Sequence, residues 1–229
     1  GCRILPPTTI TSLPSGMALK TFKVDGKSHI VASPLTPEAF APYGGVISAD
    51  HQLQKAEKSE ANYGTAIKLH KVAPIVNNFR NSPSGGKESA NWNIFRCTAP
   101  KHLIKHGGSK AVYLSKVLER HPFSTQTFVP MGQDKNKLSY LVIVAKTDGS
   151  TSEKLPDPSQ IKAFLCKGNQ SITYGAGIWH APMVVIDETI PHLDFAVLIH
   201  ENGVADEDCQ ECYFEPGYNI EYTLSTPKL

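Results

Sequence analysis

The hydrophobic residues of this chain fall in short runs spaced about ten residues apart, with glycine, proline and charged residues between them. That spacing predicts many short strands joined by tight turns. Residues 138–145 (LSYLVIVA) are almost continuously apolar and β-branched, the pattern of a buried strand. Residues 92–97 (WNIFRC) alternate instead, with Asn93 and Phe95 on one face and Trp92, Ile94 and Arg96 on the other. Further strands are predicted at TFKV, at Val46-Ile47, across 111–129, and at MVVID, LDFAVLI and CYF. Two helical signals interrupt them. Thr36-Pro37-Glu38 reads as N-cap, first-turn proline and first-turn acid of a helix ending at Tyr43-Gly44-Gly45. Asp157-Pro158 opens SQIKAFLC, read as a short helix burying Ile161, Phe164 and Leu165 and closed by Gly168. Residues 50–60 read as polar and flexible, and KHLIKHGGSK, with His102 and His106, as an exposed insertion. The fold class this predicts is mainly β, a barrel or sandwich with a few short helices.

Length and composition narrow the function. At 229 residues and 40% hydrophobic, the chain supports one well-buried domain, placed at 31–229 behind an N-terminal tail or edge segment, 1–30. A net charge of +2, with the basic residues scattered, gives no field for nucleic acid or a membrane surface, so the expected partner is a small molecule. No apolar run approaches the roughly 20 residues of a membrane span, and the first 30 residues lack a secretory layout. A soluble intracellular protein is expected, with Met17 a candidate native start and residues 1–16 a processing remnant. Five cysteines point to reduced thiols rather than a disulfide framework, and Cys209-x-x-Cys212 reads as two incidental cysteines.

The candidate chemistry lies in two stretches, residues 118–132 (LERHPFSTQTFVPMG) and 168–183 (GNQSITYGAGIWHAPM). Glu119 and His121 are two apart on a predicted strand and so share a face. Gln126 follows by five and Gly132 by six more; Gly168, Gly177 and His180 follow downstream. These spacings resemble the two motifs of the cupins. Where a metal-binding cupin carries His, His, Glu and His, this chain carries Glu119, His121, Gln126 and His180. That set offers nitrogen and oxygen ligands for nickel, manganese or zinc, weakened by a neutral amide, and a metal-free site is the other reading.

The runs LERHPFSTQTFVPM, WHAPM, NYGTAIK and LTPEAFAPYGGVI, with the strand at Asp194-Phe195, more specifically resemble the ureidoglycolate lyases of allantoin degradation, from about Val31 to Phe214. The resemblance implies a cupin-like (RmlC-like jelly-roll) β-barrel homodimer and a carbon–nitrogen lyase of purine catabolism. Its members split (S)-ureidoglycolate into glyoxylate and urea, and some have been associated with a divalent metal such as nickel. Cleaving a carbinol amide needs one proton taken from a hydroxyl and one given to a departing nitrogen, work suited to Glu119, His121 and His180. Gln126 would orient the substrate. Tyr140 and Trp179 wall the pocket or belong to the core. By resemblance Lys68, beside Asn62 and Gly64, holds the substrate carboxylate, with Arg96 as a second anchor. Two other readings stay open: an ammonia-releasing amidohydrolase, and a non-catalytic cupin binding a small carboxylate or sugar. Cytoplasm is the expected compartment, with peroxisome the alternative because Pro-Lys-Leu approximates a Ser-Lys-Leu address.

Overall fold

A computed structural model describes residues 17–224. The first sixteen residues and the Pro-Lys-Leu end, with the readings attached to them, lie outside the described residues. In chain order the first strands are β1 (Met17–Lys23), β2 (His29–Val31), β3 (Ser33–Pro34), β4 (Gly44–Ile47), β5 (Lys58–Ala61), β6 (Ala66–Leu69), β7 (Ser89–Cys97) and β8 (Ile104–Gly107). They are followed by β9 (Lys110–Arg120), β10 (Gln126–Met131), β11 (Leu138–Thr147), β12 (Pro156–Lys167), β13 (Ser171–Tyr174), β14 (Trp179–His180), β15 (Val184–Val185), β16 (Leu193–Glu201) and β17 (Gln210–Thr223). The α-helices, α1 (Pro37–Phe40), α2 (Ala49–Gln52) and α3 (Ala205–Asp208), are single turns.

The larger sheet runs β1-β17-β9-β14-β11-β12-β3, with β2 and β8 added on β17 and β9, and β15 on β11. The second runs β4-β13-β10-β16-β7. The mainly β, helix-poor fold is the expected one. Closure differs from the barrel expectation: the two sheets keep separate ladders and pack as a sandwich, while the larger curls until β12 touches β2 and β17.

Two cores follow from this arrangement. Between the sheets lie Phe128, Tyr140, Val142, Val144, Tyr174 and Phe195, with rings meeting edge to face: Tyr140 and Phe195 have centroids 5.2 Å apart. Inside the curl of the larger sheet lie Leu118, Leu141, Ile143, Trp179, Phe214 and Ile220. Burying each side chain of this size contributes about 1.5–3 kcal/mol, so β11, which feeds both cores from alternate residues, is central to stability.

Three expectations are corrected. SQIKAFLC is not a helix but the end of β12, paired antiparallel with β11. Ile161, Ala163 and Leu165 enter one core while Phe164 and Cys166 enter the other, so burial on both faces hides the period of two. Gly168 therefore closes no helix; it turns β12 toward β13, where an added Cβ would lie 2.3 Å from the Asp134 carbonyl oxygen. Residues 50–60 are ordered: α2 buries Gln52, whose side chain binds the Val46 carbonyl and accepts from Ser48 N–H. The helix predicted from Thr36 does form, with Thr36 Oγ1 accepting from Ala39 N–H at 3.1 Å, but it lasts one turn because Gly44 already belongs to β4. His106 lies in β8 and pairs with Glu188 at 2.6 Å. Among the described residues no helix is long and apolar enough to cross a membrane.

Candidate active site

β9 ends in Glu119-Arg120, with His121 next in the chain, and the alternation of extended backbone separates these three side chains. Leu118 and Arg120 face the curled core; Glu119 and His121 face the space between the sheets. The two-residue strand β14 is pinned between β9 and β11, with His180 opposite Glu119 on one side and Val144 on the other. A carboxylate and two imidazoles thus meet. Glu119 Oε1 lies 3.5 Å from His180 Nε2 and 3.9 Å from His121 Nε2, and the imidazole centroids are 5.2 Å apart.

Backbone carbonyls set the orientation of both rings. His121 Nδ1 is 2.8 Å from the Asp208 carbonyl oxygen, and His180 Nδ1 is 2.9 Å from that of Ile178. Each carbonyl accepts a hydrogen bond from Nδ1–H, which leaves each neutral ring presenting an Nε2 lone pair toward Glu119. His121 Nε2 also lies 2.9 Å from the Gln126 side-chain oxygen, a contact that requires an Nε2–H or a flipped amide. His180 stacks on the ring of Tyr174, with centroids 3.9 Å apart and an interplanar angle of 11°. Burial and the neighbouring His180 charge push the His121 pKa down and favour its neutral form. Burial also pushes the Glu119 carboxyl up, but His180, His121 and the Cys209 thiol outweigh it and hold the group below its ordinary value.

This donor set fits a divalent cation. His180 Nε2 is buried with no hydrogen-bond partner, and Glu119, His121 and His180 offer ligand atoms within 4.8 Å of one another. With metal–ligand bonds of about 2.1 Å, neighbouring ligand atoms sit roughly 3 to 3.5 Å apart, close to the Gln126–His121 and Glu119–His180 separations. The carbonyl contacts on both Nδ1 atoms are the outer support such histidines ordinarily have.

Other residues singled out in the sequence lie elsewhere. Tyr140 is fully buried between the sheets, its hydroxyl donating to the Gln170 carbonyl. Trp179 points to the opposite core from His180, with Nε1 donating to the Lys154 carbonyl at 2.9 Å and the Arg120 guanidinium 5.0 Å over its ring. Arg120 donates to Gln210, Lys154 and Glu153 rather than to Glu119. Arg96 lies on β7 with both prongs of its fork on Asp194, 2.9 Å each. Asn62 and Lys68 belong to the exposed β5–β6 hairpin, whose turn holds Asn62, Tyr63 and Gly64 at φ of 49°, 55° and 86°. Lys68 Nζ has no hydrogen bond or ion pair among the described residues. A cleft of about 560 Å³ opens beside Arg120, Glu153, Asp206 and Gln210, and none of Glu119, His121 or His180 lines it.

Sequence reasoning missed Tyr174, Asp208 and Cys209. Tyr174 carried a signal, since it stands two residues after Ile172 on a strand whose alternate positions face inward. Asp208 and Cys209 carried none, because their contacts span almost ninety residues.

A partly buried carboxylate held against two buried, oriented imidazoles inside a β-sandwich defines an enzyme-type site for a small polar molecule. Comparison with known proteins narrows the class. The profile of the family described as Ureidoglycolate lyase matches residues 27–221. The ureidoglycolate lyase of Saccharomyces cerevisiae is 44% identical over 197 residues, covering 82% of this chain and 95% of the relative. That of Schizosaccharomyces pombe is 39% identical over 198 residues, covering 86% and 97%. The Brucella anthropi protein of the same name is 31% identical over 198 residues, covering 85% and 95%. The chain belongs to the ureidoglycolate lyase family.

Proposed function

We propose that the protein cleaves ureidoglycolate to glyoxylate and urea by acid–base catalysis. The observation that carries this reading is the convergence of the Glu119 carboxylate and two Nε2 lone pairs at one buried point. Ureidoglycolate carries a hydroxyl and a ureido nitrogen on the same carbon. Removing the hydroxyl proton lets the C–O bond become the aldehyde of glyoxylate while the electrons of the C–N bond leave with nitrogen, and that nitrogen takes a proton to become urea. Atoms balance, since one proton leaves oxygen and one joins nitrogen. Glu119, ionised and facing the rings, receives the proton from the hydroxyl and passes it to an Nε2 lone pair, and that imidazole delivers it to the departing nitrogen, which returns both groups to their starting state. Gln126 donates to or accepts from the ureido group. A divalent metal held by Glu119, His121, His180 and Gln126 would, when bound, act as a Lewis acid on the substrate oxygen. Of the two cations proposed for the substrate carboxylate, Arg96 is already committed to Asp194, which favours Lys68 on its hairpin.

The test is to incubate purified protein with ureidoglycolate, with and without chelator, and measure glyoxylate, urea and ammonia. Glyoxylate and urea are expected in equal amounts with no ammonia. Ammonia in place of urea would make the protein an amidohydrolase, and loss of turnover with chelator, restored by added metal, would make the metal essential.

The homodimer reading rests on β7, one of the two edge strands of the second sheet. Trp92 and Ile94 stand 65% and 72% exposed on its outer face, large apolar side chains of the kind a partner covers. Sedimentation at micromolar concentration is expected to give a dimer that Trp92→Glu converts to monomer; a monomeric parent protein would remove this assignment.

A further inference from the structure

Three consecutive residues, Glu119, Arg120 and His121, are each gripped by a different member of one downstream stretch, 208–210. The Asp208 carbonyl accepts from His121 Nδ1 at 2.8 Å, Cys209 Sγ lies 3.8 Å from Glu119 Oε2, and Gln210 Oε1 accepts from Arg120 Nε at 2.8 Å. The stretch is itself anchored. The Asp208 carboxylate accepts from the N–H groups of Asn202 and Gly203 at 2.8 and 2.7 Å, Cys209 N–H closes α3 on the Ala205 carbonyl at 3.0 Å, and Gln210 stands opposite Arg120 in the β17–β9 ladder. Cys209 is therefore held in place by backbone on both sides.

The two oxygens of Glu119 consequently have different neighbours. Oε1 faces His180 and His121, and Oε2 faces the thiol. A carboxylate can turn about its side-chain bonds, and a donor at one oxygen stops that turning and aims the other. A thiol beside a carboxylate oxygen is the donor, since an ionised carboxylate only accepts. Cys212 does not share the role: it is three residues further along extended chain, about 10 Å away, which is beyond disulfide reach, and it is packed in the curled core.

We propose that Cys209 is a positioning residue of this site, its thiol donating to Glu119 Oε2 so that Oε1 stays turned toward His121 and His180. The role rests on the reading of Glu119 as the base that takes the substrate proton. The thiol transfers no proton and touches no substrate.

The experiment compares Cys209→Ala and Cys209→Ser with the parent enzyme on ureidoglycolate, and records the S–H stretch of Cys209 as the infrared difference between parent and Cys209→Ala. Removing one weak donor to a charged group is expected to lower kcat about tenfold with KM nearly unchanged, and the serine hydroxyl is expected to restore most of the loss. The S–H band is expected at the lowered frequency of a hydrogen-bonded thiol and to move when Glu119→Gln is introduced. Unchanged kcat in Cys209→Ala, a rise confined to KM, or failure of serine to rescue would overturn the proposal. So would a Cys209 band typical of a free thiol. Cobalt(II) added to the parent enzyme gives a further outcome: a thiolate-to-metal band absent from Cys209→Ala would make Cys209 a ligand, alongside Glu119 and Glu211 within 4.8 Å, and end the positioning role. A parent enzyme that releases no urea, with the S–H band still coupled to Glu119, would sink the lyase reading and leave the hydrogen bond standing.

Discussion

Glu119→Gln is expected to lower kcat/KM for ureidoglycolate by about a thousandfold, within the range of removing a general base. The substitution keeps the size and shape of the side chain and removes its charge and its capacity to take a proton. An amide between His121 and His180 can donate to one Nε2, so the fold should be kept. Because the folded state holds the Glu119 pKa below its ordinary value, the ionised carboxylate contributes to stability at neutral pH, and its replacement is expected to lower stability modestly. The wild-type pH profile should agree. Glu119 is held ionised below its ordinary range, and the depressed pKa of His121 keeps that ring neutral until pH falls below the ordinary imidazole value of about 6.5. Activity should therefore fall on the acid side, below about pH 6.5, as His121 takes a proton. Steady-state kinetics on both proteins, beside thermal unfolding, decide the matter. A Glu119→Gln enzyme within about tenfold of wild type and equally stable would show that the carboxylate is not the base.

The amino-acid sequence displayed this cluster unevenly, for physical reasons visible in particular residues. Glu119 and His121 were legible because alternation along a strand is local: two residues two apart share a face whatever lies across from them. His180 was legible from its place in a spaced motif. Its neighbour Trp179 was not, since assigning a face requires knowing which atom of β14 meets β9, and that register is set by partners sixty residues away. Arg96 shows the same limit. Nothing in WNIFRC says that Asp194 stands opposite in the β16–β7 ladder and occupies the guanidinium. Residues 159–166 fail for a different cause: with Ile161 and Leu165 in one core and Phe164 in the other, the pattern shows neither a strand's alternation nor a solvent face. The β-rich class survived all of these misses, because it rests on the number and spacing of apolar runs rather than on any single assignment.

Trp179→Ala is expected to destabilise the protein by about 3–5 kcal/mol, the cost of deleting a large buried aromatic side chain. For a chain of this size that lowers the thermal midpoint by roughly 10 °C or more. The loss has three parts: apolar contacts of a ring with no exposed surface, the hydrogen bond from Nε1 to the Lys154 carbonyl, and the face on which Arg120 rests. Trp179→Phe separates them. It keeps most of the volume and a face for the guanidinium, and the Lys154 carbonyl still accepts from Arg120 Nη1, so the expected cost is about 1 kcal/mol. Because Trp179 points away from His180, Trp179→Phe should leave KM for ureidoglycolate close to the wild-type value even though the adjacent residue in the chain is proposed to be catalytic. A pocket wall would behave in the opposite way, with KM rising severalfold at nearly constant stability. Denaturant unfolding and steady-state kinetics on the two variants distinguish these cases. A stable Trp179→Phe protein with a strongly raised KM would return the tryptophan to the substrate pocket and require β14 to meet β9 in the other register.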